Sequence, residues 1–366
     1  MQEQHQLDDA AFRSDFEALL AAAPGGAVKD HHFIRVESNR PPWTDTGIDL
    51  EAGDQVSTFS TGRTSITGTP LSFSSQFQIW FRIGEDGEIF RGTRASNSFA
   101  VDKPGRLYVG TNFPGEFATR TGALSVPAEA YDMAEGDLSL LLVRWQMPPL
   151  EGLKCLSASG DVGGLVATEI DRFANQVPVP EGWDYLWFIG PAEIYKDCDG
   201  HGREHAICCH TDKNGALLIK DCVLPLKPGT RISWSWLMEQ LPSKVAEDTF
   251  PTHDYLSVAI EFDNGQDLSY FWSCELPLET TFRCPIPTWH DRETHVVTRT
   301  GISDVGKWMK EERDVYADYA AAIGGPMPGK IVRVWLIAVS IFQQTEGKCQ
   351  FADITFHTDN GDVPVL

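Results

Sequence analysis

Three stretches of this chain set histidine beside acids or thiols, and each suggests a different chemistry. The first is Thr288–His295, reading Thr-Trp-His-Asp-Arg-Glu-Thr-His. A histidine next to a carboxylate is the pairing used for proton transfer, because the acid fixes the imidazole tautomer and stabilises its cation. Here His290 and His295 are the candidate bases, Asp291 the candidate orienter, and Trp289 a flat apolar face for a ring. The second stretch, Asp248–Asp254, ends in His253-Asp254 at the mouth of an apolar strand and offers the same pairing. The third, Cys198–His210, is the densest, with three His, three Cys, Asp199 and Glu204. It suggests zinc, but its spacing argues against that. Tetrahedral sites usually draw a second ligand pair from elsewhere in the chain, and on a strand His205 and Cys209 face one way while Cys208 and His210 face the other. We expect a hairpin with small buried thiols and a polar tip, and no metal or cofactor. A Gly-rich phosphate loop, a GxSxG elbow and an HExxH pair are all absent from the sequence,.

Aromatic residues at strand spacing complete the candidate site. Trp234 and Trp236 alternate with Ile232, and Tyr270 alternates with Trp272. Such pairs line either a groove or a core. Trp234, Tyr270, Trp272 and Trp289 are therefore the substrate-binding candidates, beside His253, Asp254, His290, Asp291 and His295 as catalytic ones.

The elements that must position them are mostly strands. Phe12, Phe16, Leu19 and Leu20 recur at helical spacing, so Asp8–Ala23 reads as a helix, stopped by Pro24-Gly25-Gly26,. From residue 33 to 145 short apolar runs alternate with Gly, Asp and Pro turns, the pattern of a sandwich. Gln146-Met147-Pro148-Pro149 marks a boundary, and residues 148–182 form a connecting segment with a short helix near Ala167–Asn175. A second strand set fills residues 183–366, with Asp212-Lys213-Asn214-Gly215 as a hairpin turn. One helix, over 303–323, interrupts it. The expected class is all-β with a few peripheral helices, in two β-sandwich or jelly-roll domains.

Composition limits the partners. The chain has 366 residues and a net charge of −22, which repels phosphate backbones and anionic lipids,. Nucleic acid and membrane are excluded as partners; a small molecule and a homo-oligomer remain. The N-terminal stretch lacks the basic start and apolar run of a secretory signal, which implies a cytoplasmic protein whose eight cysteines are free buried thiols,.

Two resemblances add to this. Trp43-Thr44-Asp45-Thr46-Gly47-Ile48, Ala52-Gly53-Asp54-Gln55-Val56 and the closing stretch Asn112–Gly122 resemble the PA-I galactophilic lectins, small calcium-dependent galactose-binding sandwiches. That family holds calcium and sugar on the closing loop. The positions that would serve are Asn112, Glu116, Thr119 and Arg120 here. Calcium wants six or more oxygens with carboxylate charge, so a neutral Asn112 and a cationic Arg120 imply a retained fold and a lost calcium site. The second half resembles a bacterial jelly-roll-like family of unknown function. That likeness rests on Ile232–Trp236, Tyr255–Ala259, Leu268–Trp272, Trp308–Tyr316, Asp318-Tyr319 and Phe351–Ile354; it implies a fold and no chemistry.

Taken together, these features point to a cofactor-independent acid–base enzyme, a hydrolase or lyase acting on a sugar-bearing or aromatic small molecule at the domain interface. A non-catalytic carbohydrate-binding protein and an assembly subunit are the alternatives, since fold alone does not decide function.

Overall fold

Asp137–Trp145 carries a nearly unbroken apolar run, and a strand so composed must be covered on both faces. In the computed structural model Leu138, Leu140 and Leu142 enter one hydrophobic cluster, while Leu141, Val143 and Trp145 enter another. The first half of the chain is built around this strand. The structure describes residues 7–366 except Thr93 and Glu204. Met1–Gln6 of the N-terminal lead-in, and Glu204 of the Cys198–His210 segment, lie outside the described residues.

The chain forms two units, Met1–Gln176 and Val177–Leu366. In the first, the helix α1 (Asp9–Ala22) is capped by Asp8, whose carboxylate accepts the Ala11 N–H,. The strands are β1 (Val28–Glu37), β2 (Trp43–Leu50), β3 (Gln55–Ile66), β4 (Ser72–Ser74), β5 (Trp80–Ile83), β6 (Phe90–Arg91), β7 (Ser96–Ala100), β8 (Gly105–Gly110), β9 (Ala134–Glu135) and β10 (Asp137–Trp145). One sheet has the order β1-β10-β3-β4, with β7 and β9 also pairing β3; the other runs β2-β8-β5-β6. Between them pack Ile34, Val36, Leu50, Val56, Phe81, Leu107 and Val109. The larger sheet's other face is covered by α1 and by two helices of the 148–182 segment, α2 (Pro149–Ser157) and α3 (Leu165–Ala174). Only the second of those was legible in the sequence.

The second unit contains β11 (Asp184–Tyr185), β12 (Tyr195–Cys198), β13 (Ala206–Asp212), β14 (Gly215–Pro225), β15 (Arg231–Gln240), β16 (Leu256–Phe262), β17 (Asp267–Ser273) and β18 (Thr281–Arg283). It continues with β19 (Glu293–Thr300), β20 (Trp308–Asp314), the helix α4 (Val315–Ala322), β21 (Lys330–Val339), β22 (Glu346–Thr358) and β23 (Gly361–Pro364). A seven-stranded sheet, β11-β14-β21-β16-β17-β19-β18, faces a six-stranded one, β12-β13-β22-β15-β20 with β23 on β22. Trp234, Trp236, Tyr270 and Trp272 fill the space between the sheets. A second cluster, with Tyr255, Phe271, Trp289, Val297 and Trp335, covers the outer face of the seven-stranded sheet.

The helix expected over 303–323 is corrected. Residues 308–314 form a strand paired with β15, from Arg231↔Asp314 to Leu237↔Trp308, and only Val315–Ala322 is helical, capped by Asp314. Glu311 points at the Trp236 indole N–H (3.1 Å) and the Arg299 guanidinium (2.7 Å). Pairing with an edge that would otherwise lie bare outweighs local helix preference. No described helix is long and apolar enough to cross a membrane.

Candidate functional site

Two constellations in the structure could recognise something, one in each unit. In the first unit it is the outer face of the sheet β2-β8-β5-β6. Tyr108 pairs in register with Asp45 on one side and Arg82 on the other, so the three form a row across the sheet. Strand alternation places Trp43 and Arg106 on the same face. The Arg82 guanidinium lies over the rings of Trp43 (4.8 Å) and Tyr108 (4.9 Å), and donates to the Thr121 carbonyl (3.0 Å). Arg106 pairs with Asp49 (2.8 Å) and Asp45 (3.3 Å). Trp43 stacks on Phe117 with centroids 5.4 Å apart, and its indole donates to the Gly122 carbonyl (3.0 Å). Gly122 must be glycine here: its φ is +86°, and a Cβ would lie 2.3 Å from the Trp43 ring,.

Several polar groups of the closing loop beside this face are already engaged, within the loop or by residues outside it. Tyr131 donates to the Asn112 carbonyl. The Thr119 hydroxyl meets that of Thr121 (3.1 Å) and accepts the Ala123 N–H, and Arg120 pairs with Glu88 (2.8 Å).

In the second unit four side chains converge beneath the outer face of the seven-stranded sheet. His253, Cys284, Glu293 and His295 each offer one ligand atom, and these atoms all lie within 4.8 Å of one another. His253, Cys284 and His295 are 0% exposed and Glu293 2%. Glu293 and His295 share a face of β19 because they are two residues apart. Cys284 follows β18, which pairs with β19, and His253 leads into β16. The distance from Cys284 Sγ to His253 Nε2 is 3.4 Å, and from His295 Nε2 to Glu293 Oε2 3.5 Å. The His253 Nδ1–H donates to the Glu247 carbonyl (2.6 Å), which leaves its Nε2 lone pair facing the cluster,. The Glu247 carboxylate in turn accepts from Ser273 and from the Cys274 N–H (2.8 Å). Tyr255 donates to Glu293 Oε1 (3.2 Å), leaving Oε2 for the cluster. Neither ring nitrogen of His295 has a hydrogen-bond partner. Burial, reinforced by His295, lowers His253 to about 3, so it is neutral at ordinary pH. Burial would raise Glu293, but His295, His253 and Cys284 beside it together draw the acid down to about 2.

The other expected site residues are placed differently. The Asp254 carboxylate accepts the backbone N–H groups of Phe342 (3.0 Å) and Gln343 (2.6 Å), so it fastens a turn rather than orienting a histidine. His290 is directed at the Cys284 carbonyl (2.9 Å), and Asp291 is exposed. Trp234, Tyr270, Trp272 and Trp289 are core residues: Trp234 stacks on Tyr270 at 5.3 Å, the Tyr270 hydroxyl donates to Asp318, and the Trp272 indole donates to the Gly301 carbonyl. They present no open wall. The Cys198–His210 segment forms the hairpin β12–β13, but Cys198 and Cys208 are joined by a disulfide, which corrects the expectation of eight free thiols. Cys284 and Glu293 were not singled out from the sequence. The signal lies in Glu293-Thr294-His295, which on a strand puts two ligand types on one face,.

Residues 182–355 match the family described as protein of unknown function (DUF3047). No curated protein matches the chain in sequence. Among solved structures, the first unit's likeness is to the EclA N-terminal domain, a PllA-like lectin. The two share 15% identity over 31% of this chain and 94% of that one, with a TM-score of 0.24. Both resemblances read from the sequence are thereby found. The chain is also similar to TmCBM61 in complex with β-1,4-galactotriose (12% identity, 48% of this chain and 88% of that one, TM-score 0.24). A third likeness is to the CBM22-1–CBM22-2 tandem of Paenibacillus barcinonensis Xyn10C (11% identity, 91% and 92%, TM-score 0.25). These are β-sandwich likenesses and concern the fold. The acid–base enzyme expected from the sequence is corrected. Four of the solved structures that this chain resembles are carbohydrate-binding modules, likenesses of fold that lend the enzyme reading no support. Of the groups chosen for catalysis, His253, Asp254 and His295 are buried, and Asp254 is committed to the backbone of Phe342 and Gln343.

Proposed function

We propose that this is a non-catalytic carbohydrate-binding protein, with the outer face of the sheet β2-β8-β5-β6 as its sugar-binding surface. The observation that carries this is the row Asp45–Tyr108–Arg82, flanked by Trp43, Asp49 and Arg106 on one face. A sugar presents C–H faces and hydroxyl edges. Aromatic rings suit the first, while carboxylates and guanidinium groups suit the second as acceptors and donors. Arg82 and Arg106 are held in place by rings and acids, so little side-chain freedom is lost on binding. The lectin-like stretches Trp43–Ile48 and Asn112–Gly122 border this face. Because neutral Asn112 and cationic Arg120, the latter paired with Glu88, stand where calcium would need carboxylate oxygens, binding is expected not to depend on calcium,. The Cys198–Cys208 disulfide favours an oxidising compartment over the cytoplasm,.

The test is a glycan array followed by calorimetry, with calcium and with chelator. A glycan is expected to bind equally in both conditions, and Tyr108→Ala is expected to weaken it at least tenfold while the melting temperature stays unchanged. Silence across the array, or binding that survives Tyr108→Ala in the folded protein, would overturn the assignment.

A further inference from the structure

We infer that His253, Cys284, Glu293 and His295 form a zinc site, closed and structural, that fastens the loops over the seven-stranded sheet of the second unit. This is independent of the sugar-binding assignment, which concerns the other unit.

The donor set is the first argument. A soft thiolate, two imidazoles and a harder carboxylate are all ligands that the borderline zinc ion takes, and four of them complete its tetrahedral shell. The geometry is the second. Around a tetrahedral zinc, with bonds of about 2.0–2.3 Å, neighbouring donor atoms lie about 3.3–3.6 Å apart. The Cys284–His253 pair at 3.4 Å and the Glu293–His295 pair at 3.5 Å already match two edges. The remaining pairs, all within 4.8 Å, need a contraction of roughly 1.5 Å at most to reach that shell.

Buried polarity is the third argument. His295 has no exposed surface, and neither of its ring nitrogens meets a hydrogen-bond partner. Phe282 stacks on the ring, and Phe271 and Tyr255 stand edge-on to it. A buried imidazole without partners costs stability, and a metal bond to Nε2 removes part of that cost. Charge is the fourth. The Cys284 thiolate and the Glu293 carboxylate together carry the two negative charges that a divalent cation cancels, so the assembled centre is neutral and can be buried. The proton displaced from the thiol leaves to solvent on assembly.

The groups behind the ligands are those a metal site needs. His253 is oriented by the Glu247 carbonyl and Glu293 by the Tyr255 hydroxyl, the outer contacts that fix tautomer and direction. All four positions of the shell are protein atoms and all are buried, which leaves none open for water or substrate. The centre therefore holds structure. It ties the segment ending at His253 to the β18–β19 hairpin, two parts of the chain far apart in sequence.

The experiment is elemental analysis of the full-length protein expressed without added metal, followed by refolding with cobalt. One equivalent of zinc per chain is expected. The cobalt form is expected to show the intense visible bands of tetrahedral coordination and a thiolate-to-cobalt charge-transfer band. Cys284→Ser should lose the charge-transfer band and most of the zinc; Cys209→Ser, at a buried cysteine outside the cluster, should keep both. Should Cys284→Ser fail to fold, His295→Gln read by the same bands decides the matter. Absence of zinc, iron or copper in its place, or a charge-transfer band that survives Cys284→Ser would overturn the inference.

Discussion

Two regions of the second unit are rich in histidine and cysteine, and the fold treats them in opposite ways. Between Cys198 and His210 the residues crowd together in sequence, and the structure disperses them. Strand alternation sends Cys209 into the core and His210 to the surface, while Cys198 and Cys208 close a disulfide. His253, Cys284, Glu293 and His295 are spread over more than forty residues, and the structure gathers their ligand atoms within 4.8 Å. Density along the chain is thus a poor guide to a metal centre on a sheet. A strand offers only alternate residues to one side, so a four-ligand set has to be drawn from several elements.

The comparison can be broken most sharply at Cys284. Cys284→Ala removes a ligand from a buried centre and is expected to cost ~4–5 kcal/mol of the second unit's stability, the range seen when a metal is lost. Urea unfolding followed by tryptophan fluorescence would read it. A loss under 1 kcal/mol would place Cys284 with the ordinary core thiols. Next in size is the disulfide. Opening the Cys198–Cys208 link releases a loop of sequence separation 10, and a loop of that length is worth about 2–3 kcal/mol in the chain-entropy account. The double variant Cys198→Ala/Cys208→Ala should show that loss with zinc content unchanged. If zinc fell with it, the two regions would be coupled and the contrast between them would fail. Smaller again is Tyr255→Phe, which removes only the hydroxyl that steadies Glu293 Oε1. Competition with a chromophoric chelator should show zinc affinity falling about tenfold with the ligand set intact.

The sequence made the sandwich class legible because hydrophobic alternation and turn residues are local signals. Between residues 33 and 145 the turn residues do set off strands such as Asp137–Trp145 and Gly105–Gly110. Residues 308–314 were misread because Trp308, Met309 and Tyr316 fit a helical face, and only the pairing with β15 shows that a strand is the better use of them. The site was half legible. His253 and His295 drew attention for the acids beside them in the sequence, but the reason they matter is a meeting across the sheet. That meeting depends on β18 turning back along β19 and on the Glu247 carbonyl reaching His253, which no spacing rule foretells. Tyr108 and Arg82 were invisible for the same reason, since their row exists only once β5 pairs with β8.

The smallest expected effect tests the other arm of the comparison. His210 is exposed, 3.8 Å from the Glu346 carboxylate, and Glu346 is also paired with Lys348 at 3.0 Å. The lysine partner, ahead of burial, holds Glu346 below the usual carboxylate range, and His210 adds to it from farther away. Exposed pairs of this kind are screened by water and contribute little. His210→Ala should therefore change stability by no more than about 0.5 kcal/mol, with zinc content, cobalt bands and glycan binding all unchanged. A loss of metal in this variant would return the metal centre to the dense segment and displace it from the buried tetrad. Retention of metal in His210→Ala, set against its loss in Cys284→Ser, shows that the ligands come from residues the fold brings together and not from those the sequence already holds side by side.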